Sequence, residues 1–249
     1  VEAPDERLIV ALPGPPREMW PMWRGQALPR LELRGLGVGR ATHTLRLTGI
    51  GESALVALIG EDVLRASSPE VATYARPDAV DVVIRASSGD RSAAERTVTA
   101  TVSLLREKLS DYVFAEGDET WADALGRRLA GRTLATVEIG TGGQLLALIG
   151  TAPFFAFGEL LAAQSDIAHA STNLGHYAQR VREVGHADIG LAVFARQTRD
   201  THVRIALASG DGVQEMQRTA FMAGDEGRRR AALAACAALW GWLRKAESG

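Results

Sequence analysis

Residues 133–149 read Thr133-Leu134-Ala135-Thr136-Val137-Glu138-Ile139-Gly140-Thr141-Gly142-Gly143-Gln144-Leu145-Leu146-Ala147-Leu148-Ile149. β-Tolerant residues lead into a glycine-rich turn, and an apolar segment follows, closed by Gly150. The pattern predicts a buried strand, a tight turn and a helix, because glycine lets the backbone turn sharply and approach whatever lies opposite. Backbone N–H groups at a helix start lack partners within the helix, so the turn is placed to hold a phosphate or a carboxylate. The same local pattern also fits a plain strand-to-helix connection. Thr141 is expected to shape the turn through a side-chain bond. Glu138 is expected to accept from backbone N–H groups.

Working outward, Asp118 or Thr120 is a candidate cap for a helix that puts Trp121, Ala124, Leu125 and Leu129 on one face before Gly131. Downstream, residues 154–161, 188–194 and 203–208 read as strands, the last being the final clear one. A helix is predicted over 175–183. An alanine-rich helix over 226–244 turns Leu233, Cys236, Ala237, Trp240 and Leu243 inward. Helices alternating with strands predict a three-layer α/β/α sandwich. Upstream, residues 44–48 and the alternation of Val80, Val82 and Ile84 read as strands. Helical spacing of Leu55, Leu58, Ile59 and Val63, and of Val98, Val102, Leu105 and Leu109, adds two helices, giving a small α+β module. At the start, residues 7–12 read as a strand and residues 17–20 as a short helix stopped by Pro21. Gly35, Gly37 and Gly39 are spaced like part of a nucleotide loop but lack its frame, so they read as a link.

The chain has 249 residues, 46% of them apolar, and a net charge of −2, which gives no general attraction to nucleic acid or acidic membranes. Lys108 and Lys245 are the only lysines, and arginine cannot replace a lysine that must cycle through its neutral form. The single cysteine, Cys236, excludes an internal disulfide and any multi-cysteine metal site. No apolar run reaches membrane-spanning length and no signal-peptide pattern is present, so a cytoplasmic protein is expected. His169, His176, His186 and His202 fit no compact metal motif, and neither a metal nor another cofactor is expected.

The turn resembles the Ala-Glu-Ser-Cys-Thr-Gly-Gly element of the CinA carboxy-terminal domain, a competence- and damage-inducible family whose active members deamidate nicotinamide mononucleotide. Glu138, Thr141, Gly142 and Gly143 match, whereas Ile139 stands at the family's nucleophilic serine and Gly140 at its cysteine. Asp225 and Arg230 match the entry to the family's last helix, which makes Arg230 a candidate phosphate contact. Leu45-Arg46 with Gly49-Ile50-Gly51-Glu52-Ser53 resembles the family's KH-like middle domain. Leu12-Pro13-Gly14, Pro16, Glu18 and Met19 resemble a motif near the end of the molybdopterin-binding-like domain that precedes it. The resemblance implies three parts: residues 1–34 as the tail end of that first domain, 35–116 as the KH-like domain and 117–249 as the carboxy-terminal domain.

The family's chemistry needs a serine, a base supplied by lysine with tyrosine, and backbone donors for the oxyanion and phosphate. No lysine lies between Leu109 and Arg244, the region around 160–171 is shorter than the family's lysine-bearing element, and residues 194–199 replace its substrate loop. The resemblance therefore implies a catalytically degenerate, structural or regulatory protein with no catalytic residue. Glu138, Gly140, Thr141, Gly142, Gly143 and Arg230 remain as a candidate turn for a pyridine nucleotide or another phosphate ligand. A homodimer is the expected assembly, with no membrane partner and no nucleic-acid partner. Two alternatives stay open: an active nicotinamide-nucleotide amidohydrolase using altered residues, and a nucleic-acid-binding factor of competence or damage response.

Overall fold

The computed structural model describes residues 8–36, 39–76, 79–161 and 173–247. The carboxy-terminal part is a five-stranded sheet of β5 (Leu134–Ile139), β6 (Phe155–Leu161), β7 (Ile189–Gln197), β8 (Thr201–Ser209) and β9 (Gly212–Ala220), in the order β6-β5-β7-β8-β9. Central β5 runs parallel to both its neighbours, while β7, β8 and β9 are antiparallel. All six β5 residues are buried, as a strand covered on both faces requires. On one face, Leu134, Leu191, Ile205 and their neighbours pack under α6 (Trp121–Leu129), α7 (Gln144–Ile149) and α9 (Gly224–Glu247). On the other, Ala135, Val137, Ile139 and Phe194 pack under α8 (Leu174–Val184). This is the expected three-layer α/β/α sandwich. Thr120 caps α6 through a reciprocal box with Asp123.

Strand β9 lies beyond the last strand the sequence makes clear. It is an edge strand exposed along most of its length, so it lacks the apolar alternation by which strands are recognised.

The preceding α+β module is an antiparallel sheet of β1 (Arg40–Leu47), β2 (Glu70–Ala75), β3 (Val80–Ser87) and β4 (Val113–Glu116), ordered β2-β3-β1-β4. Helices α3 (Glu52–Ile59), α4 (Glu61–Arg65) and α5 (Arg91–Lys108) accompany it, and Leu45, Leu47, Val82 and Ile84 pack with Leu55, Val98 and Leu105. Asp90 caps α5 by accepting from the amides of Ser92 and Ala93.

The amino-terminal region differs from the sequence expectation. Leu8 makes a single bridge rather than a strand through residue 12. Pro21 does not stop the helix: α1 (Pro16–Met22) passes through it into a π-helical stretch, Trp23–Ala27, and on to α2 (Leu28–Glu32). A proline deletes one amide donor and crowds the preceding turn, and the π-helical stretch begins two residues after it. None of residues 8–36 is buried.

The two sheets are tied where β4 leads into α6. Phe114 of β4 stacks on Trp121 of α6, with centroids 3.9 Å apart and planes 9° from parallel. Glu116 accepts from Arg106 at 2.9 and 2.8 Å and lies 2.7 Å from His43 Nε2. The Arg106 guanidinium holds the Glu116 carboxyl below the usual glutamate range, with His43 adding to it against the opposing effect of partial burial. A depressed carboxyl contributes stability that is present above the ordinary glutamate range and is lost as pH falls through the folded value. Glu116→Gln should therefore lower stability by about 1 kcal/mol at neutral pH. In melting curves recorded from neutral to strongly acidic pH, the gap between variant and native protein should close at the acid end.

Candidate functional site

The turn after β5 is built by its glycines. Gly140, Gly142 and Gly143 have φ of 82°, 68° and 83°, a region that residues with a side chain enter only at a cost. Gly140 is required by space as well. A Cβ there would stand 2.2 Å from the carbonyl oxygen of Ala195 in β7. The chain thus leaves β5 pressed against its neighbour and enters α7 at once.

Glu138 occupies the centre of this turn. Its side chain is fully buried. The Thr141 hydroxyl donates to Oε2 at 2.5 Å, the Leu145 amide donates to Oε2 at 3.0 Å and the Leu146 amide to Oε1 at 2.7 Å. Two of the helix-start donors that the sequence offers to an external anion are therefore taken by a carboxylate of the chain itself. Thr141 is also fully buried, and its hydroxyl is committed to the same carboxylate.

Ile139 points to the opposite face of β5. Only 3% of its surface is exposed, and it belongs to the apolar cluster of Leu174, Ala178 and Phe194 beneath α8. The position at which the family resemblance implies a nucleophile is part of a hydrocarbon core.

The structure brings Glu138, Gly140, Thr141, Gly142 and Gly143 together and leaves Arg230 out. The Arg230 guanidinium pairs with Glu226 one turn back, at 2.9 Å. Arg228 is the arginine at the turn, and its Cδ would meet a Cβ built on Gly142 at 3.2 Å. It pairs with Asp225. Helical residues two apart in sequence are separated by about 200° around the axis, so Arg228 and Arg230 cannot serve the same place. The basic run Arg228-Arg229-Arg230 signalled a helix face without showing which member approaches the glycines.

Neither lysine reaches the turn. Lys108 donates to the carbonyl of Ile59 in the first module. Lys245 lies 17 residues beyond Arg228 on α9, about 25 Å along the helix. Tyr177 packs against the cluster under α8, near Arg180. His169 and most of the 160–171 region lie outside the described residues. Among the described residues, no three metal-ligating side chains converge. The residues that replace the family's substrate loop are continuous with the sheet: β7 runs through Gln197, and Thr198 turns back by donating to the Asp200 carbonyl at 2.8 Å. Gln197 and Gly224 bond to each other twice, which holds the start of α9 against this hairpin.

Comparison with known proteins bears on the whole arrangement. The family model for the damage-inducible protein CinA KH domain matches residues 42–115. A CinA-like protein of Deinococcus radiodurans is 44% identical over 151 residues, which cover 60% of this chain and 36% of that protein. A CinA-like protein of Thermomicrobium roseum is 36% identical over 202 residues, covering 77% of this chain and 49% of its own length. The chain thus spans between about a third and a half of these relatives. Among solved structures, a CinA superfamily protein of Klebsiella pneumoniae aligns with 50% of this chain and 96% of its own at 21% identity, with a TM-score of 0.41. No helix among the described residues is long and apolar enough to cross a membrane. With a CinA KH module followed by an α/β/α sandwich, the chain belongs to the CinA family.

Proposed function

We propose that the sandwich keeps the framework of a nicotinamide-mononucleotide amidohydrolase but performs no amide hydrolysis, and that the chain acts as a structural or regulatory CinA protein. The observation that carries this reading is Ile139, which stands where the resemblance implies the nucleophilic serine and is packed, 3% exposed, in the apolar cluster under α8. Serine-type attack on an amide needs an accessible nucleophile, a group that takes its proton and free donors for the oxyanion. Here the nucleophile position is buried hydrocarbon, no lysine is near, and two of the helix-start amides are engaged. Losing general-base assistance alone removes roughly two to four orders of magnitude in rate.

Purified protein incubated with nicotinamide mononucleotide should release ammonia no faster than a blank. Robust release that Thr141→Val abolishes would instead favour an enzyme with altered residues. Ile139→Ser should not create activity, and the lost burial should cost about 2–4 kcal/mol in denaturant unfolding. Turnover appearing in that variant would show that a proton acceptor had survived.

The same reading fixes the behaviour of Glu138. Functional groups held ready for a substrate commonly cost stability, so their removal is neutral or stabilising. Glu138→Ala should do the opposite, lowering unfolding free energy by ~3 kcal/mol or more through the two amides left without a partner. An unchanged or raised melting temperature would argue that the carboxylate is kept for a ligand.

A further inference from the structure

Strand β9 is an open edge nine residues long, where strands usually run to about five or six. It pairs with β8 without a shift in register, and the closing pair of Ser209 and Gly212 fixes which residues bond to β8. Gly212, Gln214, Met216, Arg218 and Ala220 turn their amides and carbonyls toward β8, whereas Val213, Glu215, Gln217 and Thr219 turn theirs outward. Among the described residues, these outward groups meet one partner: the Gln217 carbonyl accepts from the exposed Arg218 side chain at 2.8 Å.

Proteins commonly guard such an edge with proline, lysine, a bulge or a covering segment. Edge strand β4 of the first sheet is guarded. Arg127 donates to the Phe114 carbonyl at 3.3 Å, and the Glu116 amide donates to Glu119 at 2.8 Å. β9 has no proline, no lysine and no bulge. Its exposed Gln214 and Arg218 line an open cleft of about 740 Å³ between the two sheets.

The ends of the strand carry apolar side chains in water. Val213 is 43% exposed, and Phe221, one residue past the strand, is 68% exposed. Phe221 precedes Met222, whose φ of 78° lies in the left-handed region that costs a residue with a side chain. That turn is fastened: the Met222 carbonyl accepts from the Thr201 hydroxyl at 2.8 Å, and its amide donates to Asp200 Oδ1 at 3.0 Å.

The strand is complementary to itself. Two copies running antiparallel about Met216 pair all nine residues, and their outward groups meet, Glu215 with Gln217 and Val213 with Thr219. Arg218 of one copy then stands opposite Gln214 of the other, and no like charges face each other. Pairing about Glu215 would instead set two carboxylates face to face. Val213 becomes the diagonal neighbour of Phe221 in the second copy, twice over by symmetry, at a separation an aromatic side chain spans. Glu215, the strand's one acid, is already held by Arg204 at 2.6 Å and the Gly175 amide at 2.8 Å.

We infer that β9 is the docking edge for a second copy of this chain, joining two five-stranded sheets into one continuous sheet across a two-fold axis. In the seam the Gln217 carbonyl accepts from the Glu215 amide of the second copy, which releases Arg218 toward Gln214 of that copy.

Sedimentation velocity of the full chain over a range of concentrations tests this. A reversible monomer–dimer equilibrium is expected, with dimer prevailing above the micromolar range. Gln214→Arg opposes two arginines at two symmetry-related places and should raise the dimer dissociation constant about tenfold, whereas Gln214→Glu should lower it. Gln214→Arg combined with Arg218→Glu should restore the native constant. Gln217→Pro removes an amide that serves only the seam and should leave monomer. Gln214 is exposed, so circular dichroism and melting of dilute protein should be unchanged in its variants. The inference is overturned if the chain stays monomeric at high concentration, whether or not the edge captures a strand from another protein. It is also overturned if a dimer forms that Gln214→Arg does not weaken, or that Gln214→Arg and Gln214→Glu weaken alike. Ammonia release plays no part in the readout, so the outcome is separate from the proposed loss of hydrolysis.

Discussion

The buried carboxylate of Glu138 is the interaction on which the sandwich depends. A six-residue helix such as α7 has little stability of its own, because the cost of nucleation is spread over few bonds. Its first turn is held by a strand residue that accepts from two of its amides, so β5 and α7 form one unit. The glycines make this possible by allowing the chain to reverse within the reach of a glutamate side chain. Gly140 does so while touching β7, which places the turn against the adjacent strand. The carboxylate lies where an outside anion would meet the helix start, and a single negative group cannot be both a permanent anchor and a vacancy for phosphate.

Much of this was legible in the sequence where the physics is local. Strand, glycine turn and helix follow from residue types that leave few alternatives, and Glu138 bonds backbone amides as a carboxylate in that position is expected to. Elements whose identity depends on their neighbours were harder to read. Edge strands β2 and β9 are recognisable only once a sheet exists beside them, since half of their pairing groups face water. Pro21 reads as a stop in any local scheme, yet the helix widens past it. Arg230 was singled out by a motif, but which arginine of a consecutive run reaches the turn is set by the helix's rotation about its axis, and packing fixes that rotation.

The junction shows how the two sheets constrain each other. Phe114 and Ala115 belong to β4 of the first sheet, yet their side chains are part of the sandwich's core. Arg46 of β1 reaches the Glu119 carbonyl at 2.8 Å, and Arg127 of α6 pairs with Glu119. The Glu116-Gly117-Asp118 segment, whose polar and glycine composition reads as a boundary, is therefore bonded on both sides. Gly117 still donates to Thr44 of β1 at 2.9 Å. Relative movement of the sheets would have to break aromatic stacking and a cluster of ion pairs together, whereas a flexible linker would need to break neither.

That junction bears on where charge remains available to a ligand. At the carboxyl end of β5, in open parallel sheets a common place for ligands, two of the helix-start amides and the Thr141 hydroxyl answer to Glu138 and Arg228 answers to Asp225. In the cleft between the sheets, Arg218 and Lys245 answer to no carboxylate among the described residues, and Phe221 stays hydrated on a turn held under strain. Among the described residues, the charge left without a carboxylate partner thus lies between the sheets and not at the glycine turn.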